Sequence, residues 1–255
     1  MTLKARLAAD ETLLTAWSGI PDALTVEIVA RQGFDVVTLD MQHGGHGEDS
    51  VLRSLPAVQA AGKPALVRIP VGRFDMASRA LDFGAEAVIA PMVNSVADAR
   101  AFAAAMKYPP LGQRSWGPTF AFPRHGRGDQ AEWLHESNQR TLAFAMIETR
   151  AALDALDDIL GVPGIDGIFV GPSDFSIAWT NGGTVDPALE DMMETLASIA
   201  GRARKAGKHT AIYILDPAIS GRMVAMGYRL LAMGSEHSLI ATGAKTLLAK
   251  VRGAL

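Results

Sequence analysis

Cysteine is absent from the 255-residue sequence. Disulfide bonds, zinc–thiolate sites and cysteine nucleophiles are therefore excluded. No apolar run reaches the roughly 18 residues that a membrane-spanning helix needs. The amino-terminal segment MTLKARLAADETLL has no apolar core of the kind found in signal peptides. We therefore expect no membrane partner and a cytoplasmic location.

Charge is scattered along the chain rather than clustered. Charged residues make up 20% of the sequence, the net charge is −3, and no basic stripe is interleaved with aromatic residues. A nucleic-acid partner is therefore not expected. Hydrophobic residues make up 49%, which is enough to fill a large core. The length matches a single (β/α)8 barrel and is also compatible with two smaller domains.

The chain repeats an order of apolar strand, polar turn and amphipathic helix. Short apolar runs bounded by turn signals are typical of buried parallel strands. The predicted strands are Leu13–Ser18, Phe34–Asp40, Ala65–Ile69, Ala87–Pro91, Leu142–Ile147, Gly167–Val170, Thr210–Leu215 and Tyr228–Gly234. Eight such units without a linker predict one α/β domain over residues 1–255, a (β/α)8 TIM barrel. Residues 108–128 interrupt the rhythm, and a loop of this length is usually functional or a lid.

Polar residues at the strand ends form the candidate site, because (β/α)8 barrels build their sites at the carboxyl ends of the strands. These residues are Asp40, Gln42, His43, Arg68, Glu148, Asp174, Ser235 and Glu236. Glu148 and Asp174 follow neighbouring strands and predict a divalent metal ion, Mg²⁺ or Mn²⁺, with Co²⁺ and Zn²⁺ left open. Arg68 lies within a strand, where a buried guanidinium needs an anion from the protein or the substrate.

Each candidate also has a simpler explanation when taken alone. Asp174 opens a helix and is equally well explained as a helix cap. A histidine in a glycine-rich loop, such as His43, is more often solvated than catalytic. The remaining histidines are predicted to be surface or packing residues; they are His46, His125, His135, His209 and His237. The coincidence of so many polar groups at one rim favours a functional site.

The combination of groups fits chemistry on a 2-oxo acid. Gly171, Pro172, Ser173 and Asp174 begin a helix whose free N–H groups are suited to a substrate carboxylate. The metal is predicted to hold the carboxylate and keto oxygens, and Arg68 to stabilise an enolate oxygen. His43, oriented by Asp40, is predicted to move protons.

Five motifs together resemble a known family. They are VTLDMQHG (37–44), LVRIP (66–70), LDFGAEAVIAPMV (81–93), MIET (146–149) and IFVGPSDFS (168–176). They resemble the metal-dependent class II pyruvate aldolases of the HpcH/HpaI family, and among these the hydroxy-ketoacid aldolases. The resemblance implies a phosphoenolpyruvate/pyruvate-type barrel that exchanges its C-terminal helix with a neighbour and assembles as a homohexamer.

The resemblance also implies an activity. It is the reversible retro-aldol cleavage of 4-hydroxy-2-oxo acids to pyruvate and an aldehyde through a pyruvate enolate, an aldehyde-lyase reaction used in aromatic compound catabolism. The matching residues imply that Glu148 and Asp174 bind the metal, that Arg68 stabilises the enolate, and that His43 is the acid/base residue with Asp40 beside it. Asp82 is implied to lie near the histidine of an adjacent subunit, although the sequence alone indicates a solvated helix residue.

Two departures from the family pattern affect the expected substrate pocket. Met146 stands where the family usually has glutamine, and the segment 112–117 keeps Arg114 but gains Trp116. The apolar segment Ile212–Leu215 is predicted either to line the aldehyde pocket or to pack within the barrel.

Four other functions remain open. A 2-dehydro-3-deoxy sugar-acid aldolase belongs to the same family. A CoA-ester lyase requires an extended basic groove, which the sequence does not show. A Schiff-base aldolase requires a lysine on a barrel strand, yet every lysine lies near a helix, loop or strand edge. A non-enzymatic binding module predicts no metal-dependent turnover.

Overall fold

Eight parallel strands form a closed barrel in the computed structural model, which describes residues 2–125 and 129–254. Each strand pairs with the next along the chain, and the last pairs with the first. The strands are β1 (Leu13–Ser18), β2 (Val36–Asp40), β3 (Ala65–Arg68), β4 (Ala87–Ala90), β5 (Leu142–Ile147), β6 (Gly167–Val170), β7 (His209–Tyr213) and β8 (Leu230–Ser235). The predicted (β/α)8 barrel is confirmed, and only strand ends differ from expectation.

Thirteen α-helices accompany the strands in the part of the chain that is described. They are α1 (Leu3–Ala8), α2 (Ala23–Ala30), α3 (Glu48–Ala60), α4 (Asp75–Phe83), α5 (Val96–Met106), α6 (Ala121–His125), α7 (Gln130–Arg140), α8 (Arg150–Asp154), α9 (Leu156–Leu160), α10 (Pro172–Trp179), α11 (Met193–Lys205), α12 (Ser220–Met226) and α13 (Glu236–Arg252). The sequence did not predict α1, whose Leu3 and Leu7 join the core inside the barrel.

The strands are continuous hydrophobic runs in the sequence because they separate two apolar cores, one inside the barrel and one between the barrel and the helices. Along β5, Leu142, Phe144 and Met146 belong to the core inside the barrel. Ala143, Ala145 and Ile147 alternate with them and face the core between the barrel and the helices. Since successive side chains of a strand point to opposite faces, both faces must be apolar when both are buried.

Strand register brings the candidate residues to one rim. Asp40 and Arg68 are direct neighbours in the pairing of β2 with β3. Ile147 and Val170 are neighbours in the pairing of β5 with β6, so Glu148 and Gly171 leave adjacent strands at the same level. The carboxyl ends of all eight strands meet at this rim because the barrel is entirely parallel.

Residues 108–125 lie toward the amino ends of the strands, opposite this rim. At the start of the segment, Lys107 donates hydrogen bonds from Nζ to the carbonyl of Thr141, immediately before β5, at 2.7 Å. Its Nζ also lies 2.7 Å from a carboxylate oxygen of Asp166, just before β6. Of the two expected roles, functional loop or lid, a lid over the barrel's own mouth does not fit residues 108–125, because α5 runs back along the barrel before the segment begins. Residues 126–128 of the predicted loop lie outside the described residues.

No helix of the described residues combines the length and apolarity needed to cross a membrane.

Candidate active site

A cavity of about 310 Å³ opens at the carboxyl ends of the strands. It combines charged groups from several strands with an aromatic and apolar wall. Its lining residues are Trp17, Asp40, His43, Arg68, Met146, Phe169, Gly171, Pro172, Ser173, Asp174, Tyr213 and Leu215. A volume of this size holds a small organic substrate.

Arg68 is paired with Asp40 by two hydrogen bonds. Nε of Arg68 donates to Oδ1 of Asp40 at 2.8 Å, and Nη2 donates to Oδ2 at 2.7 Å. The anion that Arg68 was expected to need is therefore supplied by the protein. Burial disfavours the charge on Asp40, but the hydrogen bonds and charge of Arg68 outweigh it and hold the pKa of Asp40 below its usual value. Nη1 of Arg68 takes no part in this pair.

Trp17 completes the surroundings of the pair. Its indole N–H donates to Oδ2 of Asp40 at 3.2 Å. The guanidinium carbon of Arg68 lies 4.8 Å from the centroid of the Trp17 ring, within cation–π range. Trp17 and Phe169 were not identified from the sequence. The sequence could have indicated them, because both are aromatic residues near the carboxyl ends of predicted strands. In the structure both belong to the core inside the barrel.

His43 follows β2 in a turn that Asp40 caps. Oδ1 of Asp40 accepts hydrogen bonds from the backbone N–H groups of Gln42, at 3.0 Å, and His43, at 3.4 Å. The described hydrogen bonds of Asp40 thus reach His43 at its backbone rather than at its imidazole. His43 itself is exposed and contributes to the cavity wall.

Glu148 is buried directly after β5, with only 2% of its surface exposed. Its Oε1 accepts a hydrogen bond from the backbone N–H of Met92 at 2.7 Å. Burial, the largest influence, raises the pKa of Glu148 to about 7; the Met92 hydrogen bond opposes the shift and the charge of Asp174 adds to it. The two candidate carboxylates thus follow neighbouring strands, Glu148 directly after β5 and Asp174 in the helix that follows β6.

Gly171 leaves space for the second oxygen of Glu148. A Cβ atom at Gly171 would lie 2.4 Å from Oε2 of Glu148 and 3.0 Å from the terminal methyl group of Met146. Only a residue without a side chain allows β6 to pass the carboxylate this closely. Met146 supplies an apolar wall beside Glu148.

Asp174 lies in the first turn of α10, which begins with Pro172 at its first position. The first intrahelical hydrogen bond runs from the N–H of Phe175 to the carbonyl of Gly171 at 2.9 Å. The N–H groups of Ser173 and Asp174 precede this bond and have no partner within the helix. They lie beside the cavity at the positive end of the helix dipole, where an anion is favoured.

The donor set at the rim suits a hard divalent cation. Glu148 and Asp174 offer carboxylate oxygens, and the absence of a side chain at Gly171 leaves room for Oε2 of Glu148 beside the start of α10. Within residues 2–125 and 129–254, no three His, Asp or Glu side chains gather closely enough to form a metal site by themselves. A cation at Glu148 and Asp174 would thus keep positions for water and substrate.

The segment 212–215, at the end of β7, contributes both to the cavity wall and to the packing of the barrel. Tyr213 and Leu215 line the cavity, whereas Ile212 and Ile214 pack into the core beneath the helices. Tyr213 also meets Trp17 edge to face, with ring centroids 5.3 Å apart.

Asp82 lies on α4 and does not line the cavity of its own barrel. It accepts a hydrogen bond from Nη2 of Arg114 at 2.6 Å. The sequence-based interpretation of Asp82 as a solvated residue is wrong, because segment 112–117 folds over it. Trp116 of this segment packs against Tyr108, with ring centroids 5.6 Å apart, and is also outside the cavity wall.

Two further buried polar residues stand close to the rim. Glu236 begins α13 directly after Ser235, the helix cap, and its Oε2 accepts a hydrogen bond from the N–H of Gly19 at 2.9 Å. His46, which the sequence placed among surface or packing residues, is buried and bonded through both ring nitrogens. Its spacing from His43 in the motif HGGH was the only available signal.

Comparisons with known proteins identify the family of the chain. The model of the HpcH/HpaI aldolase/citrate lyase family matches residues 14–242. The chain is 35% identical over 251 residues to a hydroxypyruvate/pyruvate aldolase of Roseovarius nubinhibens, covering 98% of this chain and 96% of that protein. It is 32% identical over 249 residues to a 4-hydroxy-2-oxo-heptane-1,7-dioate aldolase of Salmonella arizonae, covering 97% and 93%.

A solved structure shows the same architecture. The HpcH/HpaI aldolase from Desulfitobacterium hafniense superposes with a TM-score of 0.88 at 26% identity, covering 99% of this chain and 97% of that one. The family match extends from β1 into α13 and includes every residue of the candidate cavity. The chain therefore belongs to the HpcH/HpaI aldolase/citrate lyase family.

Proposed function

We propose that the protein is a class II pyruvate aldolase that depends on a divalent metal and cleaves 4-hydroxy-2-oxo acids reversibly to pyruvate and an aldehyde. The observation that carries the proposal is that Arg68 and Asp174 line one cavity of about 310 Å³, with Glu148 packed behind Gly171 of its wall. Relatives named as hydroxypyruvate/pyruvate aldolase and 4-hydroxy-2-oxo-heptane-1,7-dioate aldolase support the same chemistry.

Glu148 and Asp174 would hold the metal, with Mg²⁺ or Mn²⁺ favoured by their oxygen ligands. When bound there, a divalent cation supplies positive charge that lowers the energy of the developing enolate. The same cation would offset the burial and like-charge repulsion that raise the pKa of Glu148.

The chain's own residues bind and orient the substrate. Arg68, held by Asp40, presents Nη1 to the enolate oxygen, and the N–H groups of Ser173 and Asp174 donate hydrogen bonds to the substrate carboxylate at the start of α10. Trp17, Phe169 and Tyr213 form the wall that excludes water from the reacting carbon atoms.

His43 is the proposed acid/base residue. It takes the proton from the hydroxyl on C4 while the C3–C4 bond breaks and its electrons pass into the pyruvate enolate, releasing the aldehyde. It then returns a proton to C3, which becomes the methyl group of pyruvate. The exposed position of His43 at the cavity edge gives it access to both sites.

A lysine Schiff-base mechanism is disfavoured by the lining of the cavity. Among the described residues that line it, none is a lysine. The buried Lys107 instead lies at the opposite end of the barrel, bound to Asp166 and to backbone carbonyls. Treatment with borohydride in the presence of pyruvate is therefore expected to leave the mass of the protein unchanged.

The decisive experiment removes and restores the metal. Protein stripped with a chelator is expected to lose both retro-aldol activity and deuterium exchange at the pyruvate methyl group, and to regain them with Mn²⁺ or Mg²⁺. A panel of 4-hydroxy-2-oxo acids, a 2-dehydro-3-deoxy sugar acid and a CoA ester separates the candidate substrates. If Mn²⁺ and Mg²⁺ restore neither reaction, the proposal fails.

We also propose that the chain is a single domain that exchanges α13 with a neighbour in a homohexamer. Support comes from α13 itself, because every described residue from Ala241 to Arg252 is exposed. Leu24 and Ile28 on α2 are 70% and 64% exposed, and they leave an apolar surface for a helix from another subunit. In such an assembly, Asp82 and the segment 112–117 would approach His43 of an adjacent subunit.

A further inference from the structure

We propose that His46 and Glu236 are positioning residues that anchor the loop carrying His43. This segment, residues 41–47, is called the His43 loop. The anchoring depends only on contacts within this chain. Its expected effect on the rate of retro-aldol cleavage rests on the proposed function. Neither His46 nor Glu236 lines the cavity, so both would act through His43.

The imidazole of His46 links a barrel strand to a helix. Its Nε2 lies 3.0 Å from Oγ of Ser18, the last residue of β1. Its Nδ1 lies 3.1 Å from Oγ of Ser50, in the first turn of α3. His46 is 5% exposed, and burial lowers the pKa of its imidazole, which favours the neutral form. A neutral imidazole has one donor and one acceptor nitrogen, so both hydroxyl contacts can be satisfied together.

Ser50 extends this link to the end of the His43 loop. Its hydroxyl oxygen accepts a hydrogen bond from the N–H of Gly47 at 2.9 Å. The loop is thus fixed to α3 where the helix begins. Asp40 fixes the other end of the loop through the N–H groups of Gln42 and His43.

Glu236 anchors the middle of the loop through Gly19. Oε2 of Glu236 accepts from the N–H of Gly19 at 2.9 Å, and the carbonyl of Gly19 accepts from the N–H of Gly45 at 2.8 Å. A Cβ atom at Gly44 would lie 2.9 Å from Cα of Gly19 and 2.5 Å from the carbonyl oxygen of Asp40. The His43 loop therefore packs backbone against backbone on the turn that Glu236 holds.

Packing alone does not account for Glu236. Its side chain is 2% exposed, and its Oε1 has no hydrogen-bond partner among the described residues. A buried carboxylate oxygen without a partner is unfavourable, so an apolar residue would suit a purely structural position better. The bond to Gly19 is the contact that an apolar residue could not make.

The composition of the His43 loop explains why it needs anchors. Three of its seven residues, Gly44, Gly45 and Gly47, are glycines, and glycine loses more conformational freedom on ordering than any other residue. A proton-transfer group must be held within a narrow range of positions, because a displacement of about 1 Å can cost about 100-fold in rate. The contacts of His46 and Glu236 restrict that freedom without touching the substrate.

The first experiment replaces the two anchors and follows both rate and loop mobility. His46→Leu and Glu236→Ala are expected to lower kcat for retro-aldol cleavage by about 10-fold to 100-fold. The KM for substrate and the affinity for Mn²⁺ are expected to stay unchanged. Hydrogen–deuterium exchange of a peptide spanning residues 41–50 is expected to be faster than in the wild-type protein.

Conservative variants test which contact matters. Glu236→Gln keeps an oxygen acceptor for Gly19 and is expected to retain wild-type kcat and exchange. His46→Asn can keep the contact to Ser50, and His46→Gln the contact to Ser18, so each is expected to recover part of the loss. His209→Leu is the matched control, since His209 is a half-buried histidine at the amino end of β7. It is expected to leave kcat and exchange of the loop unchanged.

Three results would overturn the anchoring. They are unchanged exchange of the loop in His46→Leu and Glu236→Ala, an equal loss of kcat in His209→Leu, and a failure of the conservative variants to recover. If His46→Leu does not fold, Ser18→Ala and Ser50→Ala each remove one contact of the ring and provide the same comparison. If the wild-type protein shows no metal-dependent turnover, the proposed function fails, while hydrogen exchange still decides the anchoring.

Discussion

The buried pair of Arg68 and Asp40 makes the barrel mouth dependent on charge for its stability. We expect Arg68→Ala to lower the free energy of unfolding by about 3–5 kcal/mol, because it leaves the Asp40 carboxylate buried without its partner. Asp40→Ala is expected to cost a similar amount. The double variant should lose less than the sum of the two, as measured by urea denaturation.

Arg73 and Asp75 provide the matched control for this cycle. They form the same two-bond arrangement, at 2.9 Å and 2.8 Å, on the exposed surface. Because exposed pairs contribute about 0–1 kcal/mol, Arg73→Ala is expected to have little effect. Equal losses at both pairs would show that burial does not set the contribution of Arg68.

Glu148 gives the metal-free protein a defined pH dependence. Its pKa is raised to about 7 in the folded state, against about 4.3 for an unperturbed glutamate. The folded state therefore binds a proton that the unfolded state has released between these values. Stability from this group is fully present below about pH 4.3 and is lost as the pH rises through about 7, by about 4 kcal/mol in total.

Glu148→Gln isolates this contribution, because its amide oxygen can still accept from Met92 but does not titrate. Urea denaturation of both metal-free proteins, from about pH 5 to about pH 8, is expected to show a decline that only the wild-type protein has. Mn²⁺ at about 100 times its Kd is expected to stabilise the wild-type protein by about 2.7 kcal/mol and the variant by much less. Parallel pH curves for the two proteins would contradict the shift.

At the level of single elements, the turn from β6 into α10 depends on a residue without a side chain. Gly171→Ala would place a methyl group 2.4 Å from Oε2 of Glu148. The backbone at Gly171, with φ of −95°, accepts alanine, so the change acts on the carboxylate rather than on the fold. We expect a large loss of Mn²⁺ affinity, measured by calorimetry, with cooperative unfolding retained.

Gly33→Ala is the control for this substitution, because a Cβ atom at Gly33 meets nothing within 4 Å. It is expected to bind Mn²⁺ like the wild-type protein. Unchanged affinity in Gly171→Ala would mean that Oε2 of Glu148 does not face the metal.

The strands could be predicted because a barrel strand is buried on both faces and therefore reads as an apolar run. The residues 108–125 could not be placed, because their position depends on long-range contacts such as that of Lys107 with Asp166. Helix α1 was missed for a related reason. Its six residues, LKARLA, are too few to show a clear helical period, and only Leu3 and Leu7 are buried in the core inside the barrel.

The candidate site was predictable where a polar residue ends an apolar strand, as at Glu148 and Arg68. The pairing between strands could not be predicted from the sequence. The hydrogen bonds of Arg68 to Asp40 depend on the register of β2 with β3, which only the structure shows. His46 shows the same limit. Its two hydroxyl partners come from β1 and α3, and nothing in the local sequence indicates that they meet.

At the level of the whole molecule, α13 is held to its own barrel only at its start, where Glu236 is buried and bonded to Gly19. Its 17 residues are exposed almost throughout, although Ile240, Leu247, Leu248 and Val251 are large and apolar. Isolated helices of this length are marginal in water, and most helical stability in proteins comes from packing of an apolar face. The proposed exchange of α13 between subunits would supply that packing.

Glutamate at two apolar positions of α13 tests this exchange. In Ile240→Glu/Leu247→Glu, association would bury charge at the interface, so the double variant is expected to elute as a monomer of 27.0 kDa. The wild-type protein is expected to have about six times that mass by light scattering coupled to size-exclusion chromatography. Lys245→Glu changes the charge of an exposed residue on the same helix by a similar step. It is expected to remain assembled, because helical spacing places Lys245 on the face opposite Ile240 and Leu247. Since Asp82 is proposed to complete the site of an adjacent subunit, the monomeric variant is also expected to lose activity while keeping its affinity for Mn²⁺. A double variant with the mass of the wild-type protein would show that α13 does not join the subunits.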